Sequence, residues 1–234
     1  MIVAIDGAVK APGKPECLSV GCALFPELDP LYKVKCEPKG STSQRGEING
    51  LILALDEALS RKVQDDILLV VTDSEYLYNT VMGEWVQKWA AAGWIAANGE
   101  EPKNADQWKE ILTKLSMLAA NNVEVSMLWT KGHLYRYPAG QATRCMQSDA
   151  SGATLMSSIN TMLSVASQRE RAVEKFNAVR NEHSYPSLPE ELAAEYILYN
   201  TTVDAIAVYC ANVLVRAMAD YKEAHTDLVS DDNK

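Results

Sequence analysis

Residues 67–73 read ILLVVTD, a continuous apolar run that passes through Thr72 into an acidic residue. Runs of this kind are typical of strands that are buried on both faces, as in the parallel sheets of α/β proteins. Residues 2–6 read IVAID and repeat the pattern at the start of the chain. We therefore predict two buried strands in one α/β sheet, the first closed by Asp6 and the second by Asp73.

The segments around these two runs alternate between strand and helix patterns. Residues 46–59 carry apolar side chains at helical spacing, which predicts an amphipathic helix with Thr42 or Ser43 as its N-cap and Glu47 in its first turn. Further strands are predicted at 18–25, 31–36 and 123–129, and further helices at 74–82, 84–92, 105–119, 151–182 and 189–223. Residues 134–150 lack periodicity and are predicted to be a loop. In this order the first strand can lie beside the strand at 67–72, so Asp6 and Asp73 would meet where open sheets commonly carry their sites.

The charge and cysteine content restrict the function. A net charge of −9 argues against non-specific binding of nucleic acid, which depends on basic surface and counterion release. The objection weakens where acidic side chains surround divalent cations, because the metal supplies positive charge. Five cysteines without a CxxC pair predict reduced thiols and argue against zinc. The N-terminus has no basic segment or cleavage site, and we find no apolar run long enough to span a bilayer, so we expect a cytoplasmic protein without membrane contact.

Three acidic side chains occupy informative positions: Asp6 and Asp73 at strand ends and Glu47 at a helix start. Carboxylates that converge at a buried strand end are costly unless a cation or hydrogen bonds compensate them. Magnesium prefers oxygen ligands, and two such ions about 4 Å apart activate water and stabilise the leaving oxygen of a phosphodiester. Each acid also has a structural explanation: a turn at Asp6–Gly7, a first-turn helix acid at Glu47, and an N-cap at Asp73–Ser74. The spacing alone leaves both interpretations open.

Seven segments follow one another over residues 1–133 and 196–220: IVAIDGA, STSQRGEINGLILAL, VVTDSEYLYNTV, WVQKWAAAGW, EEPKNADQWKEILTKL, VSMLWTKGH and NTTVDAIA. In these segments and their order the chain resembles type 1 ribonuclease H, the bacterial and retroviral family. The resemblance implies a ribonuclease H-like fold, with a five-stranded mixed sheet and helices on both faces. It also implies one domain over residues 1–225, in which 134–199 is a largely helical insertion before the last catalytic helix, followed by a flexible tail at 226–234.

The resemblance further implies which residues form the site. Four carboxylates match the family's metal ligands: Asp6, Glu47, Asp73 and Asp204. His133 matches a mobile-loop histidine that would assist proton transfer or product release. The implied substrate-binding residues are Ser43, Gln44, Arg45, Trp85, Lys88 and Asn200. Among them, Arg45 is a candidate phosphate contact and Trp85 a candidate wall of the groove for the DNA strand. The remaining tryptophans are interpreted as packing residues: Trp89, Trp94, Trp108 and Trp129.

These correspondences predict a metal-dependent endonuclease that hydrolyses the RNA strand of RNA–DNA hybrids. Two Mg²⁺ ions, for which Mn²⁺ can substitute, would be its cofactors, and the products would carry 3′-hydroxyl and 5′-phosphate ends. The expected partner is the hybrid itself, and no protein partner is implied.

Three departures from the family pattern keep other functions open. Ala90–Ala92 stand where the family often has a basic protrusion, which leaves Lys88 as the nearby cation. Ser43–Gln44 replace a pair of asparagines at positions that sense ribose 2′-hydroxyls. Residues 134–183 contain six basic and four acidic side chains, so the insertion either packs as a helical layer, which we favour, or supplies a basic face that replaces the lost charge. The alternatives are therefore a nuclease for another nucleic acid such as branched DNA, or a scaffold whose insertion mediates an interaction.

Overall fold

The computed structural model describes residues 1–12, 17–38, 42–62, 67–135 and 137–224. Within these ranges one sheet contains five strands: β1 (Ile2–Lys10), β2 (Leu18–Leu24), β3 (Tyr32–Pro38), β4 (Ile67–Thr72) and β5 (Glu124–Trp129). Their order across the sheet is β3-β2-β1-β4-β5. β2 is antiparallel to both of its neighbours, whereas β4 is parallel to β1 and to β5. The predicted five-stranded mixed sheet is confirmed, and β4 matches its predicted range to the residue.

The same ranges contain these helices: α1 (Ser43–Ser60), α2 (Glu75–Met82), α3 (Trp85–Ala91), α4 (Ala105–Ala120), α5 (Ala139–Ser148), α6 (Ala153–Leu163), α7 (Ala166–Glu182) and α8 (Glu190–Ala224). α1 begins three residues before the predicted start because Thr42 is its N-cap and accepts a hydrogen bond from the Arg45 N–H at 3.3 Å. The loop predicted at 134–150 is wrong, since α5 occupies most of it. α5 buries only Ala142 and Met146, too few apolar positions to produce a visible helical period.

Helices cover both faces of the sheet, as predicted. Alternate residues of β1 join different cores: Val3 and Ile5 pack with α1, whereas Ala4 and Ala8 pack with α8. This alternation follows from the two-residue period of a strand. It decides which helix each side chain of β1 can meet.

Helices α5, α6 and α7 pack against α8 and form an additional layer. Leu155 and Ile159 of α6 and Phe176 of α7 are buried in one cluster with Tyr196 and Ile197 of α8. An added helical segment is therefore present. The proposed insertion boundaries at 134–199 stay a prediction, and the last part of that range forms the first turns of α8 itself. The tail predicted at 226–234 lies outside the described residues.

One helix, Glu190–Tyr221 within α8, is long and apolar enough to cross a membrane when judged by length and composition alone. We did not expect any segment to meet this criterion. One face of α8 packs on the sheet, where Val203, Ile206 and Ala207 are fully buried. A helix that packs in a protein core passes the same test, so we draw no membrane role from it.

Candidate active site

Asp6 and Asp73 lie on neighbouring strands at the point where β1 and β4 separate. The parallel pairing of these strands ends at Ala4–Val71, and each aspartate lies two residues further along the chain. Asp73 follows β4 directly, as predicted. The prediction that Asp6 closes its strand is wrong, because β1 continues to Lys10 through its pairing with β2. By the two-residue period, Asp6 shares the α8 face of the sheet with Ala4, and Asp73 shares it with Val71.

Glu47 approaches these aspartates because α1 crosses β1 at glycine contacts. A Cβ atom on Gly7 would lie 2.3 Å from the backbone nitrogen of Glu47, and one on Gly46 would lie 3.3 Å from the Cα of Gly7. Only glycine allows a helix and a strand to approach so closely. Because α1 begins at Ser43, Glu47 lies in the second turn, and the prediction of a first-turn acid is wrong. The Glu47 carboxylate accepts a hydrogen bond from the Ser74 hydroxyl at 2.5 Å.

Asp204 and His133 form the outer edge of the site. Asp204 lies on α8, and its Oδ2 is 3.5 Å from Nδ1 of His133. The Asp204 side chain is 32% exposed and that of His133 is 66% exposed. His133 follows β5 with a φ of 57°, a left-handed conformation in which histidine is enriched relative to most residues. The turn after β5 therefore presents an exposed imidazole beside a partly exposed carboxylate.

Burial and neighbouring carboxylates affect the ionisation of Asp6, Glu47 and Asp73. Burial raises the pKa of Asp6 well above its usual value, and the charges of Asp73 and Asp204 raise it further. Burial likewise raises the pKa of Asp73, with Asp204 adding to the effect. Burial raises the pKa of Glu47, and the charge of Asp73 contributes in the same direction. The site therefore concentrates negative charge, which His133 offsets only in part at Asp73.

The turn after β5 also holds Asp73 in place. A Cβ atom on Gly132 would lie 2.2 Å from Oδ2 of Asp73, so the carboxylate lies directly against the Gly132 backbone. The indole Nε1 of Trp129 donates a hydrogen bond to the Asp73 carbonyl oxygen at 3.1 Å. The ring of His183, just after α7, packs on Trp129 with their centroids 4.6 Å apart. The added helical layer therefore contacts the wall behind Asp73.

The donor chemistry of the site fits a hard divalent cation. Its acids offer carboxylate oxygens, the ligand type that Mg²⁺ and Mn²⁺ prefer. Within the described ranges, no group of three or more His, Cys, Asp or Glu side chains is arranged to hold a metal ion. Burial is the largest cause of the raised pKa values of Asp6, Glu47 and Asp73, and repulsion between neighbouring like charges adds to it. A divalent cation would offset that repulsion and draw the carboxylates together.

Some of the predicted substrate-binding residues border an open groove. Gln44 and Trp85 line a groove of about 540 Å³ together with Tyr76 and Trp89. The Trp85 side chain is 41% exposed, so its ring is available to a ligand. Two further residues are exposed near this groove: Ser43 at the start of α1, and Lys88, whose ammonium donates a hydrogen bond to the Gly83 carbonyl oxygen at 2.8 Å.

Arg45 is engaged by two carboxylates instead of lying free. Its guanidinium Nη2 lies 2.6 Å from Oε1 of Glu37 and 2.7 Å from Oδ2 of Asp106. Its side chain is only 19% exposed. A phosphate would have to compete with both carboxylates, so this geometry disfavours the predicted phosphate contact.

Asn200 is enclosed by protein. It lies one turn before Asp204 on α8 and is 5% exposed. Its Nδ2 has no hydrogen-bond partner among the residues that the structure describes. This burial disfavours the predicted direct contact between Asn200 and a nucleic acid.

The other tryptophans fit their predicted packing role to different degrees. Trp108 is fully buried and Trp129 is 8% exposed. Trp89 and Trp94 are half-buried at the edge of the α1 core. Trp89 also borders the groove beside Trp85, which the sequence did not indicate.

Sequence reasoning missed the residues that bring the acids together. Four glycines line the crossing of α1 over β1 and β2: Gly7, Gly21, Gly46 and Gly50. Their signal was present, since glycine inside a strand marks a close backbone approach and the two helical glycines are four residues apart on one face. Gly132 and Ser74 each contact a carboxylate of the site, a role that the sequence did not indicate for either residue.

Comparison with known proteins gives the chain a family. The model of the family described as RNase H matches residues 1–142. Ribonuclease H of Chromobacterium violaceum is 36% identical over 95 residues, which cover 41% of this chain and 58% of that protein. Ribonuclease H of Francisella tularensis subsp. novicida is 37% identical over 95 residues, which cover 41% of this chain and 56% of that protein. The chain thus spans little more than half the length of these curated relatives.

Two solved structures from foamy virus are similar to part of this chain. The protease-reverse transcriptase in complex with dsDNA has a TM-score of 0.43 at 21% identity, covering 56% of this chain and 83% of that one. The solution structure of the PFV RNase H domain has a TM-score of 0.41 at 23% identity, covering 54% of this chain and 77% of that one. The family match is the broader of these findings, since it extends from β1 through β5 and the His133 turn. Because it covers more than half of the residues, the chain belongs to the RNase H family.

Proposed function

We propose that this chain is a metal-dependent endonuclease that hydrolyses the RNA strand of RNA–DNA hybrids. The observation that carries the proposal is the mutual effect of the acids: Asp73 and Asp204 both raise the pKa of the buried Asp6, and Glu47 lies beside them. A protein keeps such a costly group of like charges where a cation is to be bound. Membership of the RNase H family supports the same chemistry.

Asp6, Glu47, Asp73 and Asp204 would hold two divalent ions, for which we propose Mg²⁺ with Mn²⁺ as a substitute. Such ions, when bound, lower the pKa of a water molecule and stabilise the oxygen that leaves the phosphorus. The chain contributes a rigid frame for them. Asp6 is fixed within the sheet, and the Ser74 hydroxyl orients the Glu47 carboxylate.

His133 is the proposed proton carrier of the site. Its Nδ1 faces Asp204 at 3.5 Å, and its exposed ring can exchange protons with solvent. We assign it the transfer of a proton to the leaving 3′-oxygen or assistance in product release. Cleavage on that side of the phosphate leaves 3′-hydroxyl and 5′-phosphate ends.

The groove bordered by Gln44 and Trp85 is the proposed path of the DNA strand, and the exposed Ser43 and Lys88, which adjoin groove residues in the sequence, are proposed as further contacts. Trp85 offers an exposed ring for stacking or for sugar contacts. We reassign Arg45 as a positioning residue, and we propose no direct substrate contact for the buried Asn200. Arg45 links Glu37 next to the end of β3 to Asp106 in the first turn of α4, and so fixes the start of α1.

A cleavage panel tests the proposal. The substrates are an RNA–DNA hybrid, duplex RNA, duplex DNA and a four-way junction, each with Mg²⁺ and with Mn²⁺. We expect the hybrid alone to be cut, in its RNA strand. Cleavage of duplex DNA or of the junction in place of the hybrid would assign the chain to another nuclease class.

Two matched variants on α8 distinguish the effect of losing a metal ligand from the effect of losing a surface acid. Asp204→Asn should lower hybrid cleavage more than about 100-fold, because a ligand is lost. Asp220→Asn, an exposed acid near the end of the same helix, should leave cleavage unchanged. Calorimetric titration with Mg²⁺ should show the same contrast without turnover. Equal behaviour of the two variants in both assays would contradict the role of Asp204.

A further inference from the structure

A second cavity borders the acidic site and is lined mainly by α8, with α5 of the added helical layer and the turn after β5 forming the other walls. It has a volume of about 330 Å³ and lies between the turn after β5, α5 and α8. His133 and Asp204 form one end of it. Its volume is at the lower end of the range for small-ligand pockets, roughly 300–1,000 Å³.

Three tyrosines give the cavity an aromatic lining: Tyr135, Tyr137 and Tyr209. The Tyr135 hydroxyl donates a hydrogen bond to Oε1 of Gln168 at 2.9 Å, and the Tyr137 hydroxyl donates to Oγ of Ser158 at 2.7 Å. These bonds anchor two of the rings to α7 and α6.

Polar groups stand among the apolar walls. Thr143 on α5 and the exposed Asn212 on α8 lie on the lining, together with the carboxylate of Asp204. Flat rings combined with a few amide and hydroxyl groups suit a nucleobase, which stacks on aromatic faces and forms hydrogen bonds through its edges.

The charges of the chain explain why such a contact would be useful. The net charge is −9, and the Arg45 guanidinium is already neutralised by two carboxylates. Of the basic residues in the added layer, Arg169 pairs with Glu190 at 2.8 Å and Arg180 is 8% exposed, whereas Arg144, Arg171 and Lys175 are exposed. In a chain of this net charge, stacking would add binding energy that does not depend on phosphate attraction.

We propose that this tyrosine pocket, lined by Tyr135, Tyr137 and Tyr209 beside Asp204, binds an unpaired nucleobase of a strand that leaves the active site. The location beside the reacting phosphate rests on the proposed function, whereas the capacity to bind a base does not. A base in a duplex would have to be unstacked first, at a cost of a few kcal/mol. The pocket therefore favours a single-stranded extension or a frayed end.

The test uses a single-stranded DNA hexanucleotide that contains one 2-aminopurine, whose fluorescence falls when it stacks. Because this probe has no ribonucleotide, the proposed activity does not consume it. We expect saturable quenching with the wild-type chain. Tyr209→Ala should weaken the binding about 5- to 150-fold, which corresponds to the roughly 1–3 kcal/mol of one stacking contact.

Two further variants control the experiment. Tyr221→Ala changes an exposed tyrosine on the same helix outside the pocket and should bind the probe as the wild type does. Ala139→Leu, at an exposed lining position on α5, should fill part of the pocket without adding an aromatic ring, and so weaken binding even if Tyr209→Ala fails to fold. Thermal unfolding identifies which variants are folded.

The outcomes separate this inference from the proposed function. Loss of quenching in the folded pocket variants, with normal quenching in Tyr221→Ala, supports it whether or not the hybrid is cleaved. Absence of quenching with the wild type, or equal quenching in all four proteins, overturns it. In either of those cases cleavage of the hybrid remains a separate result, because that assay does not require an unpaired base.

Discussion

The contact between Gly132 and Asp73 allows a substitution that should disable the site without unfolding the protein. In Gly132→Ala the new Cβ would lie 2.2 Å from Oδ2 of Asp73, whereas ordinary contact begins at 3.4 Å. The carboxylate must therefore move by about 1.2 Å, or the turn after β5 must shift by that amount. A misplacement of about 1 Å in a catalytic group can cost roughly 100-fold in rate. We expect a loss of that size in hybrid cleavage.

The same change should cost little stability. The clashing atom is the end of a side chain, and the φ of Gly132 lies outside the left-handed region that favours glycine. Alanine also lowers the conformational entropy of the unfolded chain, which contributes about 0.4–1 kcal/mol in favour of folding. The free energy of unfolding should therefore stay within about 1 kcal/mol of the wild type.

The assay measures hybrid cleavage and urea unfolding side by side, with Gly140→Ala as the control. At Gly140, a helical position in α5, the nearest atom to an added Cβ is 4.0 Å away, so this variant should be fully active. If Gly132→Ala keeps activity within twofold of Gly140→Ala, cleavage does not depend on the present position of the Asp73 carboxylate, which contradicts the prediction. A loss of activity that accompanies a large loss of stability would refute it as well, because the fold and not Asp73 would then be responsible.

Other predictions concern stability in metal-free protein, measured by urea unfolding. Burial and neighbouring charges raise the pKa of Asp6, so its ionisation destabilises the fold increasingly as pH rises from the unfolded-state pKa, about 3.9, through the raised folded-state pKa. Asp6→Asn should therefore be more stabilising at pH 7 than at pH 3, and a pH-independent effect would contradict this. Thr42→Ala should cost about 1 kcal/mol through the lost N-cap, whereas Ser43→Ala should stay within about 0.5 kcal/mol. The reverse order would make Ser43 the cap. His183→Ala should cost about 0.5–1.5 kcal/mol through lost stacking on Trp129, and no change would show that this ring contact contributes nothing.

Strands of the sheet are predictable where the residues within the strand form a recognisable apolar pattern. β4 is buried along most of its length, and its continuous apolar run gave its range to the residue. The helix α4 was predicted within one residue because it buries apolar side chains at regular helical spacing. In both cases the information needed lies within the element itself.

The details of the acidic site depend on contacts between distant segments. The sequence predicts a strand end at Asp6–Gly7, because a glycine after an acidic residue is typical of a turn. In the structure Gly7 continues β1 and lets α1 approach to within contact of its backbone. The same approach, and not the helix start, brings Glu47 to the aspartates. The spacing of apolar residues within one element does not reveal that a helix crosses a strand. The glycines of α1 and those of β1 and β2 indicate the crossing only when they are considered together.

The support for Asp204 differs in kind from that for the other acids. The family match ends at residue 142, so it includes Asp6, Glu47 and Asp73 but not α8. The placement of Asp204 depends on how α8 packs on β1 and β2, with α5, α6 and α7 packed on its other side. Deleting residues 136–196 would expose the apolar outer face of α8 and could displace Asp204, so it would not isolate the contribution of the insertion's charge. The double substitution Arg171→Glu with Lys175→Glu changes two exposed cations of α7 and leaves that packing intact. If the salt dependence of hybrid binding stays unchanged in that double variant, the added layer acts through packing alone and not through a basic face.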